Sequence, residues 1–155
     1  MANVHTFDGS HKVRALIPPA AQGSLNSAWV SPFATSGVAG DAERAVFFLL
    51  AGTLDADDTV DVEVWRAKNA SGGSPELIPG ALLTQVTDEN DEALKSIEIG
   101  PGAMSDAEGF THVQVRVTVA NGTPIWGVFQ VNHRLRYPGT GGQHASYDEQ
   151  VIVLG

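Results

Sequence analysis

The chain has no cysteine, few basic residues and no long apolar segment. The absence of cysteine excludes disulfides, zinc–thiolate sites and thiol catalysis. The longest apolar run spans residues 45–51, far short of the roughly 20 residues that a membrane-spanning helix needs. Residues 1–8 have neither the basic start nor the apolar core of a secretory signal. We therefore expect a soluble protein without an export signal or a membrane partner.

Basic residues are outnumbered: Lys and Arg total 9, Asp and Glu total 18, and the formal net charge is -9. A chain this acidic is repelled by a phosphate backbone unless its basic residues gather on one face. The nearest basic cluster is residues 133–136, and strand alternation would place Arg134 and Arg136 on one solvated or ion-paired face. We therefore expect no nucleic-acid partner.

Alternating valines are the strongest structural signal. Residues 111–119 alternate apolar and polar side chains and lead through Asn121 and Gly122 into residues 125–131, which predicts an antiparallel hairpin closed by a type I′ turn. The apolar run 45–51 suits a strand that is buried on both faces, and it is followed by an acidic turn and a second alternating segment, 59–66. This pair predicts a second hairpin. The valines predicted to face the core are Val60, Val62, Val64, Val113, Val115 and Val117.

The remaining apolar segments are short and separated by turn residues. Further strands are predicted at residues 13–17, 28–30, 81–86, 94–99 and 150–154. A helical turn or two within residues 88–97 is the alternative in the middle of the chain. About eight strands without a long amphipathic helix indicate an all-β fold, an antiparallel β-sandwich or jelly roll. Residues 1–23 are predicted to form an extended N-terminal arm and residues 24–155 a single domain.

No spacing of side chains points to catalysis. Residues 55–61 contain four aspartates that could hold calcium, but the glycine and the glutamate of an EF-hand loop are missing, so a solvated turn is the simpler interpretation. His112 and His133 could pair as metal ligands only as cross-strand neighbours, and a partly buried histidine with a hydrogen-bonded ring is favoured. We expect no metal, no cofactor and no enzymatic activity; an enzyme with a spatially assembled site is the third hypothesis.

Three stretches carry a resemblance to a known class of proteins. They are residues 45–66, with their acidic turn, residues 109–117, and residues 134–139. Together they resemble the small all-β structural proteins of tailed-bacteriophage heads, the decoration or cement proteins. The resemblance implies a virion component that binds the capsid lattice, and the acidity of the chain suits the outer capsid surface better than the DNA-filled interior. It would bind the major capsid protein, often as a homotrimer at local symmetry axes.

Aromatic residues are the candidate contacts for such a partner. Trp65 and Trp126 alternate with the apolar faces of their strands, so each either anchors an interface or is covered by a second sheet. The candidate interface residues are Phe7, Trp29, Trp65, Trp126 and Tyr137. The competing hypothesis is a carbohydrate- or receptor-binding β-sandwich of a phage tail or fibre, which needs an aromatic platform flanked by polar side chains.

Overall fold

The computed structural model describes residues 11–33, 44–104, 109–133 and 149–153. Within these ranges the chain is all β, apart from one turn of 3₁₀ helix at Pro101–Met104. The strands are β1 (His11–Ala21), β2 (Leu25–Asn26), β3 (Arg44–Ala51), β4 (Thr59–Ala67), β5 (Glu76–Leu82), β6 (Val86–Thr87), β7 (Leu94–Ile99), β8 (His112–Ala120), β9 (Ile125–His133) and β10 (Glu149–Val153).

The strands form two sheets that share one hydrophobic core. Sheet A has the order β1-β9-β3-β7-β10, and sheet B has the order β2-β8-β4-β5, with β6 also paired to β4. Neighbours are antiparallel except β7 and β10, which run parallel, so sheet A is mixed. Alternation of side chains is the same for both strand directions, and this is why the sequence did not reveal the parallel pair.

The predicted buried valines are confirmed. All six lie on β4 and β8, and none is more than 3 % exposed. The two strands pair over nine consecutive positions, from Thr59 opposite Ala120 to Ala67 opposite His112. Their inner faces meet the apolar side chains of β3, where Phe47 and Leu49 are buried in the same cluster. Strand β3 lies between β9 and β7, which confirms its predicted central place. Its predicted burial on both faces is corrected, because Leu50 on the outer face is 45 % exposed.

Both predicted hairpins are wrong. Strands β8 and β9 belong to different sheets, as do β3 and β4. Asn121 and Gly122 do have positive φ values, 60° and 47°, but the turn carries the chain from one sheet to the other. It lies beside the β3–β4 link, because the Asn121 Nδ2 donates a hydrogen bond to the Asp57 carbonyl at 2.8 Å. Alternation specifies which side chains face the core, but it does not specify which strand lies next to a given strand. Long-range contacts determine that pairing.

The predicted N-terminal arm needs correction over residues 11–21. These residues form β1, which pairs with β9, and Ile17 is buried in the core. The prolines at 18 and 19 were expected to stop the strand, but β1 passes through them with shifts of register. Neither proline has a partner in the β1–β9 register, which shifts between Ile17 and Ala20, so the missing proline N–H groups fall where the ladder is already interrupted. Residues 1–10 of the expected arm lie outside the described residues.

The smaller predictions had mixed outcomes. Strand β7 confirms the segment 94–99 and excludes the helical alternative there, and β10 confirms the last strand to within one residue. The segment 81–86 is divided between the end of β5 and the start of β6. In the segment 28–30, only Val30 makes a bridge, to Val113 on β8. That bridge holds the residues after β2 along the edge of sheet B.

Candidate functional site

The predicted interface residues separate into three groups. Trp126 is a core residue: it is 0 % exposed, and its Nε1 donates a hydrogen bond to the Gln22 carbonyl at 3.0 Å. Its predicted role as a surface anchor is therefore corrected, because a side chain of sheet A's inner face cannot touch a partner. Phe7 and Tyr137 lie outside the described residues. Trp29 and Trp65 are half-buried and remain candidates.

Trp29 and Trp65 meet at Arg116 on the outer face of sheet B. Trp65 lies on β4 and Arg116 on β8, and alternation with the buried valines points both outward. The Arg116 Cζ lies 3.8 Å from the centroid of the Trp65 ring and 6.0 Å from that of Trp29. A guanidinium at these distances is attracted by the negative faces of the indoles. We call Trp29, Trp65 and Arg116 the tryptophan–arginine surface.

Buried polar groups hold Arg116 in place. Its Nε donates a hydrogen bond to the Gln114 Oε1 at 3.0 Å, and the Gln114 Nε2 donates to the Ser27 carbonyl at 2.8 Å. Gln114 is only 9 % exposed and Ser27 only 4 %. The Ser27 Oγ in turn accepts a hydrogen bond from the Val115 N–H at 3.0 Å. Because this chain of hydrogen bonds ends in the backbone of β8, the guanidinium is oriented by the sheet itself.

The two indoles are fixed by separate contacts. The Trp65 Nε1 donates a hydrogen bond to the Glu63 Oε2 at 2.8 Å. Trp29 lies against Gly72, where a Cβ atom would come within 2.5 Å of the indole Nε1. Gly72 has a φ of +78°, in the left-handed region that favours glycine. The glycine therefore allows both the loop conformation and the close approach of Trp29.

Arg116 has no carboxylate partner among the described side chains. Glu63 lies directly opposite it in the β4–β8 register, yet the two do not form an ion pair. The Glu63 carboxylate is instead engaged by Trp65. Within the described part of the chain, no group accepts a hydrogen bond from the two terminal amino groups of Arg116. The surface thus presents an oriented cation whose outer donors are open to a partner.

The acidic and histidine residues considered as metal ligands are not brought together. Asp61 accepts a hydrogen bond from the Gln85 Nε2 at 2.8 Å, and Asp58 is buried against Gly122. His112 is on sheet B, whereas His133 is on sheet A. Across the described ranges, no group of three or more His, Cys, Asp or Glu side chains is placed to hold a metal ion.

No protein-family model, curated protein or solved structure matches the chain. Among the described residues, no helix has the length and apolarity to cross a membrane. The functional argument therefore depends on the geometry of the tryptophan–arginine surface.

Sequence reasoning missed Arg116 and Gln114 as members of the site. The signal was present in part, since the alternation that buries the β8 valines sends both residues to the opposite face. Trp65 was assigned to the outer face of β4 by the same rule. The contact between Trp65 and Arg116 depends on the pairing of β4 with β8. This pairing takes the place of the predicted hairpins, and local sequence patterns do not predict it.

Proposed function

We propose that this protein is a non-enzymatic binding module with a β-sandwich fold that attaches to a phage capsid through its tryptophan–arginine surface. The fold proposal is supported by two sheets whose inner faces contribute to a single apolar cluster. The binding proposal is carried by one observation: two half-buried tryptophans flank an arginine whose terminal amino groups donate to no other group in the described part of the chain. Tryptophan and arginine are the residue types that most often dominate protein–protein binding energy.

Preorganisation supports this use of the surface. Ordering a long side chain on binding costs about 0.5–1.5 kcal/mol, and a side chain that is already held avoids most of that cost. Arg116 is held by Gln114 and by the Trp65 ring, and Trp29 is held against Gly72. The surface can therefore engage a partner with little loss of conformational freedom.

The capsid as partner follows from the resemblance to phage head proteins, together with the charge of the chain. A net charge of -9 disfavours the DNA-filled interior of a capsid and suits its outer surface, where repulsion between neighbouring copies limits aggregation. In this proposal the protein contacts the major capsid protein and is arranged as a homotrimer at local symmetry axes.

Capsids that lack the protein provide the direct test. Purified wild-type protein and the variants W65A and R116Q are mixed with such capsids, and the bound fraction is measured by cosedimentation and by electron microscopy. We expect each variant to bind at least about tenfold more weakly, because truncation of an interface anchor costs about 2 kcal/mol or more. I125A is the matched control, since Ile125 is 57 % exposed and lies away from the site on β9. Equal occupancy by wild type, W65A and R116Q would refute this role of the surface.

A carbohydrate-binding module is the second candidate, favoured by the indole rings beside the polar groups of Glu63 and Gln114. A sugar would stack on a free indole face. One face of Trp65 is covered by Arg116 at 3.8 Å. The R116A variant therefore separates the two functions: it should uncover the ring and strengthen retention on a glycan array if the partner is a sugar, but weaken capsid binding if the partner is a protein.

A further inference from the structure

The terminal amino groups of Arg116 point to the chemistry of the partner. A guanidinium has five N–H donors in one plane, and among the described residues Arg116 uses only its Nε–H, on Gln114. The Arg116 Cζ lies over the Trp65 ring at 3.8 Å, and no described group accepts a hydrogen bond from either Nη. An end-on pair of such donors matches the two oxygens of a carboxylate.

We propose that Arg116 recognises the carboxylate of an aspartate or glutamate side chain on the partner protein. This inference rests on the proposed function, since it names the group that the tryptophan–arginine surface binds. The carboxylate would receive one hydrogen bond from each Nη, between the rings of Trp29 and Trp65. The two indoles would shield the sides of the pair from part of the surrounding water and so strengthen its electrostatic attraction.

The neighbouring charges favour a singly charged ligand. Glu63 lies opposite Arg116 in the register, and Asp61 lies two residues before it on the same face of β4. Their negative charges repel a phosphate dianion more strongly than a carboxylate. Glu63 forms no ion pair with Arg116 in this structure, and its Oε2 accepts the hydrogen bond from the Trp65 indole. A partner carboxylate would therefore supply the ion pair that Arg116 does not make with any described side chain.

Side-chain NMR of the full chain tests the site with a small probe. The indole N–H signal of Trp65 and the Nε–H signal of Arg116 are followed while N-acetyl-glutamic acid α-amide is added at constant ionic strength. The glutamine analogue, which has the same shape without the charge, is the matched ligand control. We expect saturable shifts with the acid and none with the amide. Equal shifts with both would overturn the proposal, and saturation by inorganic phosphate at lower concentration would replace carboxylate with phosphate recognition.

The R116K variant tests the planar pair of donors, since lysine keeps the positive charge but lacks the two parallel N–H donors of a guanidinium. We expect the acid probe to shift the Trp65 signal with at least about tenfold weaker affinity, in line with the strength of charge-assisted hydrogen bonds. R44K is the matched protein control, because Arg44 already has an ion-pair partner in Glu98 at 3.4 Å. It should bind the probe like wild type. Unchanged affinity in R116K would refute the proposal.

Capsid binding then separates this inference from the function it rests on. If wild type binds capsids and R116K binds equally well while W65A does not, carboxylate recognition fails and the proposed function stands. If wild type does not bind capsids at all, the proposed function fails, and the probe titration still decides whether Arg116 binds a carboxylate.

Discussion

Trp126 and Trp65 are expected to lose very different amounts of stability when each is replaced by phenylalanine. In W126F the Gln22 carbonyl loses the indole N–H that it accepts at 3.0 Å, and an unpaired polar group of this kind costs about 1–3 kcal/mol. Trp126 is also 0 % exposed, so the smaller ring leaves a gap that adds to the cost. We expect W126F to lower the free energy of unfolding by about 2–4 kcal/mol, within the range for buried aromatic truncations.

W65F is the control, because Trp65 is half-buried and its indole N–H binds a surface carboxylate. Its cost should stay below about 1 kcal/mol, as for most surface substitutions. Urea unfolding followed by far-ultraviolet circular dichroism measures both, since tryptophan fluorescence changes with the substitution itself. If W126F lowers the free energy of unfolding no more than W65F does, Trp126 is not the buried, hydrogen-bonded core residue described above.

Three further outcomes are expected. V115D should cost several kcal/mol in urea unfolding, because it places a charge at a fully buried position, and a loss under about 1 kcal/mol would contradict that burial. G127A should cost about 1–3 kcal/mol, since its Cβ would lie 2.8 Å from the Pro19 nitrogen, whereas G23A, with nothing within 4 Å, should change stability far less. A chelator should leave the melting temperature unchanged, and a calcium-dependent rise of many degrees would instead reveal a metal site.

The sequence by itself determined the class of fold and the inner faces of its main strands. The period of two in residues 59–66 and 111–119 requires a sheet with one apolar face, whatever that sheet pairs with. This is why the β4 and β8 valines were correctly predicted to be buried. The unbroken apolar run of residues 45–51 likewise predicted a central strand, and β3 is central, but its predicted burial on both faces is wrong at Leu50, which is 45 % exposed.

Only the tertiary structure determined which strands are neighbours. The candidate site depends on this pairing, because its residues come from neighbouring strands. Asn121 and Gly122 have the positive φ values that the sequence predicted, but the same local conformation can close a hairpin or carry the chain between sheets. Alternation is equally compatible with any partner strand, so the β4–β8 register that brings Trp65 to Arg116 depends on contacts some fifty residues apart in sequence. Trp65 shares its strand face with Asp61 and Glu63 and is half-buried on the outside of sheet B. Trp126 shares its face with Val128 and Gln130 and is buried in the core between the sheets.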